Sequence, residues 1–405
     1  MSVSRRGFLR GSRSGTASHA REWLAARGHE ELVAELQQGR QGGRGMARPQ
    51  LPPGVEPIRI SSNENPLGPG KAAIDAILGK FPEANRYPFN STPLDADLEI
   101  LIAKLNSAKR ENVVLGVGSQ ELLKNAVRVF MSPTKHLVEP SPTFASCNGM
   151  ARQLGWTVKT APLDAKLRAD LSALLPHVKG AGLVYLCNPQ NPAATINSAK
   201  EISDFVAEVC KTSPTTAILI DEAYCDYATD PSFQTAIPLA LATPNVIVAR
   251  TFSKAYGMAG LRQGYAIAHP DTIRKMRPFT SASGTGSLNV FGMAAATMAL
   301  QQDSDGAFSA NERKRNQAVR DFSMKWFADR GMKPTDCQAN FMFVNIGSPA
   351  KAFREACRAK GVMVARDFPP FEKTMARISL GTMEEMQKAV NVFGEVLGKK
   401  STAAA

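Results

Sequence analysis

The 405-residue chain has no run of about 18 apolar residues, the length a membrane-spanning helix needs; its longest candidate, 291–300, is far too short. It has no Cys-x-x-Cys and no His-x-x-x-His spacing. Its six cysteines (Cys147, Cys187, Cys210, Cys225, Cys337 and Cys357) and five histidines are scattered. That pattern excludes a disulfide scaffold, points to free thiols in a reducing compartment and leaves no metal site to expect. Aromatics make up only 7%, and no basic run is interleaved with them, so no nucleic-acid module is expected. Lysine is missing from residues 1–50, where nine Arg face four Glu.

What is present is ordinary for a folded, water-exposed chain: 43% hydrophobic and 21% charged residues. A chain of this size buries a substantial core without disulfides or metal and divides into two or three domains. The net charge of +13 favours anionic ligands. At the N-terminus, Ser4-Arg5-Arg6-Gly7-Phe8-Leu9-Arg10 resembles the twin-arginine export signature. An export signal also needs an apolar segment of about 7–15 residues, and here Gly11-Ser12-Arg13-Ser14 follows instead. Leu24, Leu32, Val33 and Leu36 fall on one side of a possible amphipathic helix over 20–38. Residues 1–55 therefore read as a disordered leader and linker, ending in the Gly- and Pro-rich stretch 39–53. Cytoplasmic residence is the expectation, with twin-arginine export as the alternative.

Beyond residue 56 the chain alternates short β-rich runs with helical segments. The spacing predicts strands over 112–115, 135–139, 183–187, 217–221, 246–249 and 264–268. Helices are predicted between them, including 120–130, 167–178 and 200–210. Such alternation gives an α/β fold with a parallel sheet covered on both faces, where ligands sit at the carboxyl ends of the strands. After residue 286 the pattern becomes helix-rich over 288–300 and 308–329. A mixed segment follows, with β runs at 341–344, 362–365 and 377–380 and a last helix over 384–397. This reads as an N-terminal arm at 56–84, a large domain at 85–285 and a smaller α+β unit at 286–400.

Five short motifs stand at the predicted strand ends. Gly116-Val117-Gly118-Ser119-Gln120-Glu121 is either an anion seat at a helix N-terminus or a tight turn capped by Ser119. Ser141-Pro142-Thr143-Phe144 offers a ring that stacks on a planar ligand or simply fills the core. Asn188-Pro189-Gln190-Asn191-Pro192 is a proline-fixed turn presenting an amide, or a polar loop. In Ala217-Ile218-Leu219-Ile220-Asp221-Glu222-Ala223-Tyr224 an apolar run delivers Asp221 to a strand end, where it either caps a helix or meets a cation. The fifth motif runs from Thr251-Phe252-Ser253-Lys254 to Leu261-Arg262-Gln263-Gly264 and sets two hydroxyls, a lysine and an arginine among apolar residues and glycines. Lys254 is either a solvated surface group, as most lysines are, or one held among apolar neighbours, which lowers its proton affinity and suits it to act as an amine nucleophile.

Taken in order, these motifs resemble the fold-type I pyridoxal-phosphate aminotransferases of class I/II, and within them a histidinol-phosphate aminotransferase-like subgroup. The resemblance covers roughly residues 57–400. It implies a large domain with a mostly parallel seven-stranded sheet between helices, and a smaller α+β C-terminal domain. It implies pyridoxal 5′-phosphate as cofactor, with Lys254 holding the cofactor aldehyde covalently and then shuttling a proton between the substrate Cα and the cofactor C4′. Asp221 would pair with the pyridine nitrogen. Tyr224 and Asn191 would hydrogen-bond the ring hydroxyl, and Phe144 would stack on the ring. Gly118, Ser119, Gln120, Thr251, Ser253 and Arg262 would hold the phosphate. Asn85-Arg86-Tyr87-Pro88 resembles the segment whose tyrosine reaches a neighbouring subunit's phosphate, which implies a homodimer with shared sites. Asn63-Glu64-Asn65-Pro66 matches the arm over the site, with Asn65 as a substrate contact. Arg377 would bind the substrate carboxylate, and Arg366 a distal phosphate.

The chain departs from the family pattern at Leu67, where relatives often carry an aromatic, at Ala193-Ala194 in place of Thr-Gly, and at Phe89-Asn90-Ser91. The expected reaction moves an amino group between an amino acid or amino-phosphate compound and a 2-oxo acid. A decarboxylase, lyase or oxidase on the same scaffold is the alternative.

Overall fold

The computed structural model describes residues 57–88, 94–281 and 288–398. The twin-arginine-like start, the amphipathic stretch 20–38, the linker 39–53 and the boundary at 286 lie outside the described residues. The apolar runs that predict buried strands become β5 (Ala181–Cys187) and β6 (Ala217–Asp221), in which every residue is buried. Such uniform burial is what a strand covered on both faces requires. Around them lie β2 (Val113–Val117), β3 (His136–Ser141), β4 (Val158–Pro162), β7 (Val246–Thr251) and β8 (Gln263–Ala268). They form one seven-stranded sheet in the order β2-β8-β7-β6-β5-β3-β4. β8 runs antiparallel to both of its neighbours, and the other pairings are parallel.

Six of these strands match the sequence expectation; β4 does not. It lies at the sheet edge with mostly unburied residues, and its Val-Lys-Thr-Ala-Pro sequence has neither an apolar run nor clean alternation. The helix expected over 167–178 also fails. Only the turn Leu171–Leu174 is α-helical, and a 3₁₀ turn over Leu175–His177 follows. Pro176 lacks the amide hydrogen an α-helix would need there.

The C-terminal part starts with the buried helix Val290–Gln302 and the long helix Ala307–Ala328. β9 (Phe341–Asn345) and β11 (Met375–Ser379) pair antiparallel. The short strand β1 (Ile58–Ile60) pairs in parallel with β10 (Val362–Val364), so the N-terminal arm is hydrogen-bonded into the C-terminal part before it crosses to the large sheet. The last helix, Met383–Leu397, starts with a reciprocal cap between Thr382 and Glu385. Among the described residues, no helix is long and apolar enough to cross a membrane.

One buried ion pair locks the sheet below the strand ends. Glu222, 2% exposed, accepts from Arg250 Nε at 3.0 Å and Nη2 at 2.9 Å, from Thr235 Oγ1 at 2.8 Å and from the Ala236 amide at 2.6 Å. Removing one partner strands the other charge in a poorly solvated place. Glu222→Ala is expected to cost about 3–5 kcal/mol of folding stability in a denaturant titration. A loss below about 1 kcal/mol contradicts a structural role for the pair.

Candidate active site

The carboxyl ends of β2, β3, β5, β6 and β7 share one edge of the sheet. Because β8 runs the other way, its beginning reaches that same edge, with Gln263 in register with Val117. Arg262, just before β8, is thereby set against Gly118, just after β2. Its carbonyl accepts from the Gly118 amide at 3.1 Å. Gly118 has φ +69, and a Cβ there would lie 2.3 Å from Arg262 Nη2. Only glycine allows this approach. The helix Ser119–Phe130 then begins, so the free amides of Ser119 and Gln120 open beside the guanidinium. Thr251 ends the next strand, β7, and Ser253 follows it; each is 8% exposed, and the Thr251 hydroxyl donates to Ser253 Oγ at 3.0 Å. Arg262 Nη1 reaches Ser253 Oγ at 3.3 Å and the Ala259 carbonyl at 2.9 Å. A cation, helix-terminal amides and hydroxyls converge with neutral protein acceptors only, which is the donor set of an anion seat.

Asp221 ends β6 at 2% exposure. Its Oδ2 accepts from the Tyr185 hydroxyl at 3.1 Å and its Oδ1 from the Ala223 amide at 3.2 Å. Both donors are neutral. Burial pushes its pKa up from 3.8 to about 6, against the pull of those donors and of Lys254. Lys254 is half-buried, and its Nζ donates to the Ser62 carbonyl at 3.1 Å. Desolvation, then the nearby Arg377 charge, lowers its pKa from 10.5 to about 8, although Glu64 and Asp221 act the other way.

A third cluster lies between the sheet edge and the C-terminal part. The Tyr224 hydroxyl, 4% exposed, accepts from Asn63 Nδ2 at 3.1 Å and from Asn191 Nδ2 at 3.2 Å. Asn191 Oδ1 in turn accepts from Arg377 Nη1 at 2.8 Å. Arg377 Nη2 donates to the Ser61 carbonyl at 2.7 Å, while its buried Nε has no partner. Its side chain stands 4.8 Å from the Phe368 ring centroid and 5.5 Å from that of Phe341. Burial lowers its pKa to about 10. A guanidinium held this way, with a donor left over, suits an incoming carboxylate.

The remaining expected residues fall in different places. Phe144 follows β3 and packs half-buried against the core. Arg366 is exposed, its guanidinium 4.5 Å from the centroid of the same Phe368 ring that Arg377 faces. Asn65 spends its amide on the Ala255 carbonyl at 2.9 Å and the Leu67 amide at 3.0 Å, which fastens the arm to the lysine-bearing loop. Tyr87 is 69% exposed. Sequence reasoning misses Asn63, Ser379 and Tyr185. Asn63 stands in the same Asn-Glu-Asn-Pro motif as Asn65, and Tyr185 lies two residues before Cys187 on the same strand face; alternation alone could have flagged the latter. A cavity of about 340 Å³ lies between the arm, the lysine-bearing loop and Glu385, and neither Lys254 nor Asp221 lines it.

Because only a neutral amine attacks an aldehyde, the rate at which a small aldehyde couples to Lys254 should rise with pH and level off above about 8. Borohydride trapping followed by peptide mass analysis measures it. A midpoint near the ordinary lysine value of 10.5 contradicts the desolvated setting.

The comparisons with known proteins agree with this geometry. The family model described as Aminotransferase class I and II matches residues 55–393. A histidinol-phosphate aminotransferase of Moorella thermoacetica is 31% identical, with 95% of this chain and 99% of that protein covered. The crystal structure of histidinol-phosphate aminotransferase from Sinorhizobium meliloti in complex with pyridoxal-5′-phosphate is 28% identical. It superposes with a TM-score of 0.76 over 85% of this chain and 91% of that one. An L-threonine-O-3-phosphate decarboxylase from Porphyromonas gingivalis shares the fold at 20% identity and a TM-score of 0.69, covering 83% and 99%. With its seven-stranded α/β sheet and a lysine, an aspartate and an anion seat at one edge, the chain belongs to the class I and II aminotransferases.

Proposed function

We propose that the protein is a pyridoxal 5′-phosphate-dependent aminotransferase that takes its amino group from a phosphate-bearing amine of the histidinol-phosphate kind and passes it to a 2-oxo acid. The observation that carries the substrate part is the pair of guanidinium groups on one ring, Arg377 at 4.8 Å and Arg366 at 4.5 Å from Phe368. Arg377 is buried with a spare donor; Arg366 faces solvent. Two cations spaced this way suit the carboxylate of a 2-oxo acid in one half-reaction and, in the other, the phosphate of an amine that carries no carboxylate. The relatives named for histidinol phosphate support the choice of that anion.

The cofactor fits the chain. Asp221 is a buried carboxylate with only neutral donors, and so accommodates a ring nitrogen that bears a proton. The seat formed by Gly118, Ser119, Gln120, Thr251, Ser253 and Arg262 accommodates its phosphate. Bound there, pyridoxal phosphate supplies an electron-withdrawing ring that stabilises negative charge at the substrate Cα. Lys254 would be its covalent anchor, and as a free amine would remove and return the proton at Cα. Tyr224 and Asn191 would hold the ring hydroxyl, and Phe144 would stack on the ring. Arg377 would fix the carboxylate of the 2-oxo acid and of the amino acid formed from it, which holds the Cα–H bond at a constant angle.

We further propose a homodimer with shared sites. Tyr87 at 69% and Leu67 at 61% exposure, with Phe81 and Phe279 also exposed, mark surface that a second copy would cover and from which Tyr87 would reach the partner's phosphate seat. All six cysteines are free, which supports cytoplasmic residence.

Histidinol phosphate added without oxygen should bleach the visible band of the holoprotein, and a 2-oxo acid should restore it. With an amino donor that carries a carboxylate, tested in air, carbon dioxide release or oxygen uptake contradicts transamination. Arg366→Ala is expected to raise KM for the phosphorylated donor about 10- to 100-fold, as one charge-assisted bond is lost, with little change for an unphosphorylated one. An equal effect on both donors contradicts the assignment of Arg366.

A further inference from the structure

The Tyr224 hydroxyl has one hydrogen to give and room for two donors. Both acceptor places are taken, by Asn63 Nδ2 at 3.1 Å and by Asn191 Nδ2 at 3.2 Å. The orientation of each amide is fixed from behind. Asn191 Oδ1 faces Arg377 Nη1, a group that can only donate, so its NH₂ must face Tyr224. Asn63 is fixed by Ser379. The Asn63 backbone amide donates to Ser379 Oγ at 2.9 Å, and the same hydroxyl returns its hydrogen to Asn63 Oδ1 at 2.7 Å. The Asn63 NH₂ is thereby left for Tyr224. Asn63 is 1% exposed, has φ +55, and is held from a third side by Asn340 Nδ2, which donates to its carbonyl at 3.0 Å. This much fixing is more than a loop needs merely to pass between two parts of a protein. Ser379 lies on β11 two residues after Arg377, and the two therefore point from the same face of one strand.

We propose that Ser379 and Asn63 are a pair of positioning residues that commit the Tyr224 hydroxyl to donate its hydrogen toward the cofactor's ring oxygen, and that couple this commitment to the strand carrying Arg377. The proposal rests on the cofactor reading given above and names a part of it that the motifs do not contain. With both acceptor places filled by N–H groups, Tyr224 has no protein acceptor in this cluster for its own hydrogen. An oxygen on the ring, carrying negative charge, is the acceptor this arrangement awaits. A hydrogen bond given to that oxygen makes it a weaker base, and so weakens its hold on the proton shared with the Lys254 link. Carboxylate binding at Arg377 pulls on β11 and on Asn191 together, so both amides that aim Tyr224 feel the occupancy of the substrate site.

The test reverses one bond without changing size. Asn63→Asp tolerates the positive φ and puts an acceptor where the NH₂ stood, which draws the Tyr224 hydrogen away from the ring. The readout is the pH midpoint of the holoprotein's visible band, in the wild type, Asn63→Asp, Tyr224→Phe and the double variant. Asn63→Asp adds one carboxylate to the charged groups facing Lys254, namely Arg377 on β11, Glu64 on the arm, Asp221 on β6 and Arg262 before β8, and the comparison of the Tyr224 and Tyr224→Phe backgrounds subtracts its direct effect. Asn63→Asp is expected to raise the midpoint by about one pH unit or more, a tenfold change in proton affinity. In the Tyr224→Phe background the same substitution should shift it by less than half as much, because the hydrogen it redirects is gone. Equal shifts in both backgrounds, or none in either, overturn the proposal. If Asn63→Asp does not fold, Ser379→Ala takes its place in the same cycle with the same two outcomes. A wild-type protein that shows no visible band with added cofactor overturns the functional reading itself, and this inference with it; a normal band with unresponsive midpoints overturns the inference alone.

Discussion

A carboxylate at the end of a fully buried strand needs a positive partner, and Asp221 has only the Tyr185 hydroxyl and the Ala223 amide. That unmet need organises the site. The strand that carries Asp221 lies between β5 and β7 in the interior of the sheet, and Asp221 itself is 2% exposed. Opposite it stands Lys254, an amine that burial and Arg377 have made less willing to hold its proton. One acid is pushed toward neutrality and one base likewise, each by desolvation. Neighbouring groups perturbed in complementary directions are the mark of a site built for proton traffic.

The rest of the fold explains how these groups meet. A single reversed strand, β8, brings Arg262 to the edge where the parallel strands end, and Gly118 makes room for it. The N-terminal arm does comparable work from the other side. It is paired to β10, crosses the sheet edge, offers the Ser61 and Ser62 carbonyls to Arg377 and Lys254, and is fastened by Asn65 to the lysine-bearing loop. The two site cations are thus both touched by one short backbone segment. An anion bound at Arg377, as proposed for the substrate, would compete with that segment directly, which gives the arm a chemical reason to respond to occupancy.

Much of this is legible in the sequence alone. The fully apolar runs before Asp221 and before Asn188 mark covered parallel strands, and the residues following them are the ones the fold gathers. Lys254 could be singled out because its neighbours are apolar or small. Other features are silent in one dimension. Strand β4 is short, polar and at the edge, so neither hydrophobic run nor alternation reveals it. Pro176 shortens a helix that periodicity alone would extend. Within Asn63-Glu64-Asn65-Pro66, nothing in the letters says which asparagine fastens the arm and which one addresses Tyr224. That choice depends on Ser379, 316 residues away along the chain.

The account's central claim is that one amine holds the cofactor while one buried acid faces the ring. The most direct measurement adds pyridoxal phosphate to the purified protein, reduces with borohydride and maps the modified peptide by mass. The account predicts a visible band that borohydride removes, with the added mass on the peptide containing Lys254 and on no other. A protein that stays colourless, or a mass placed on another lysine, contradicts it.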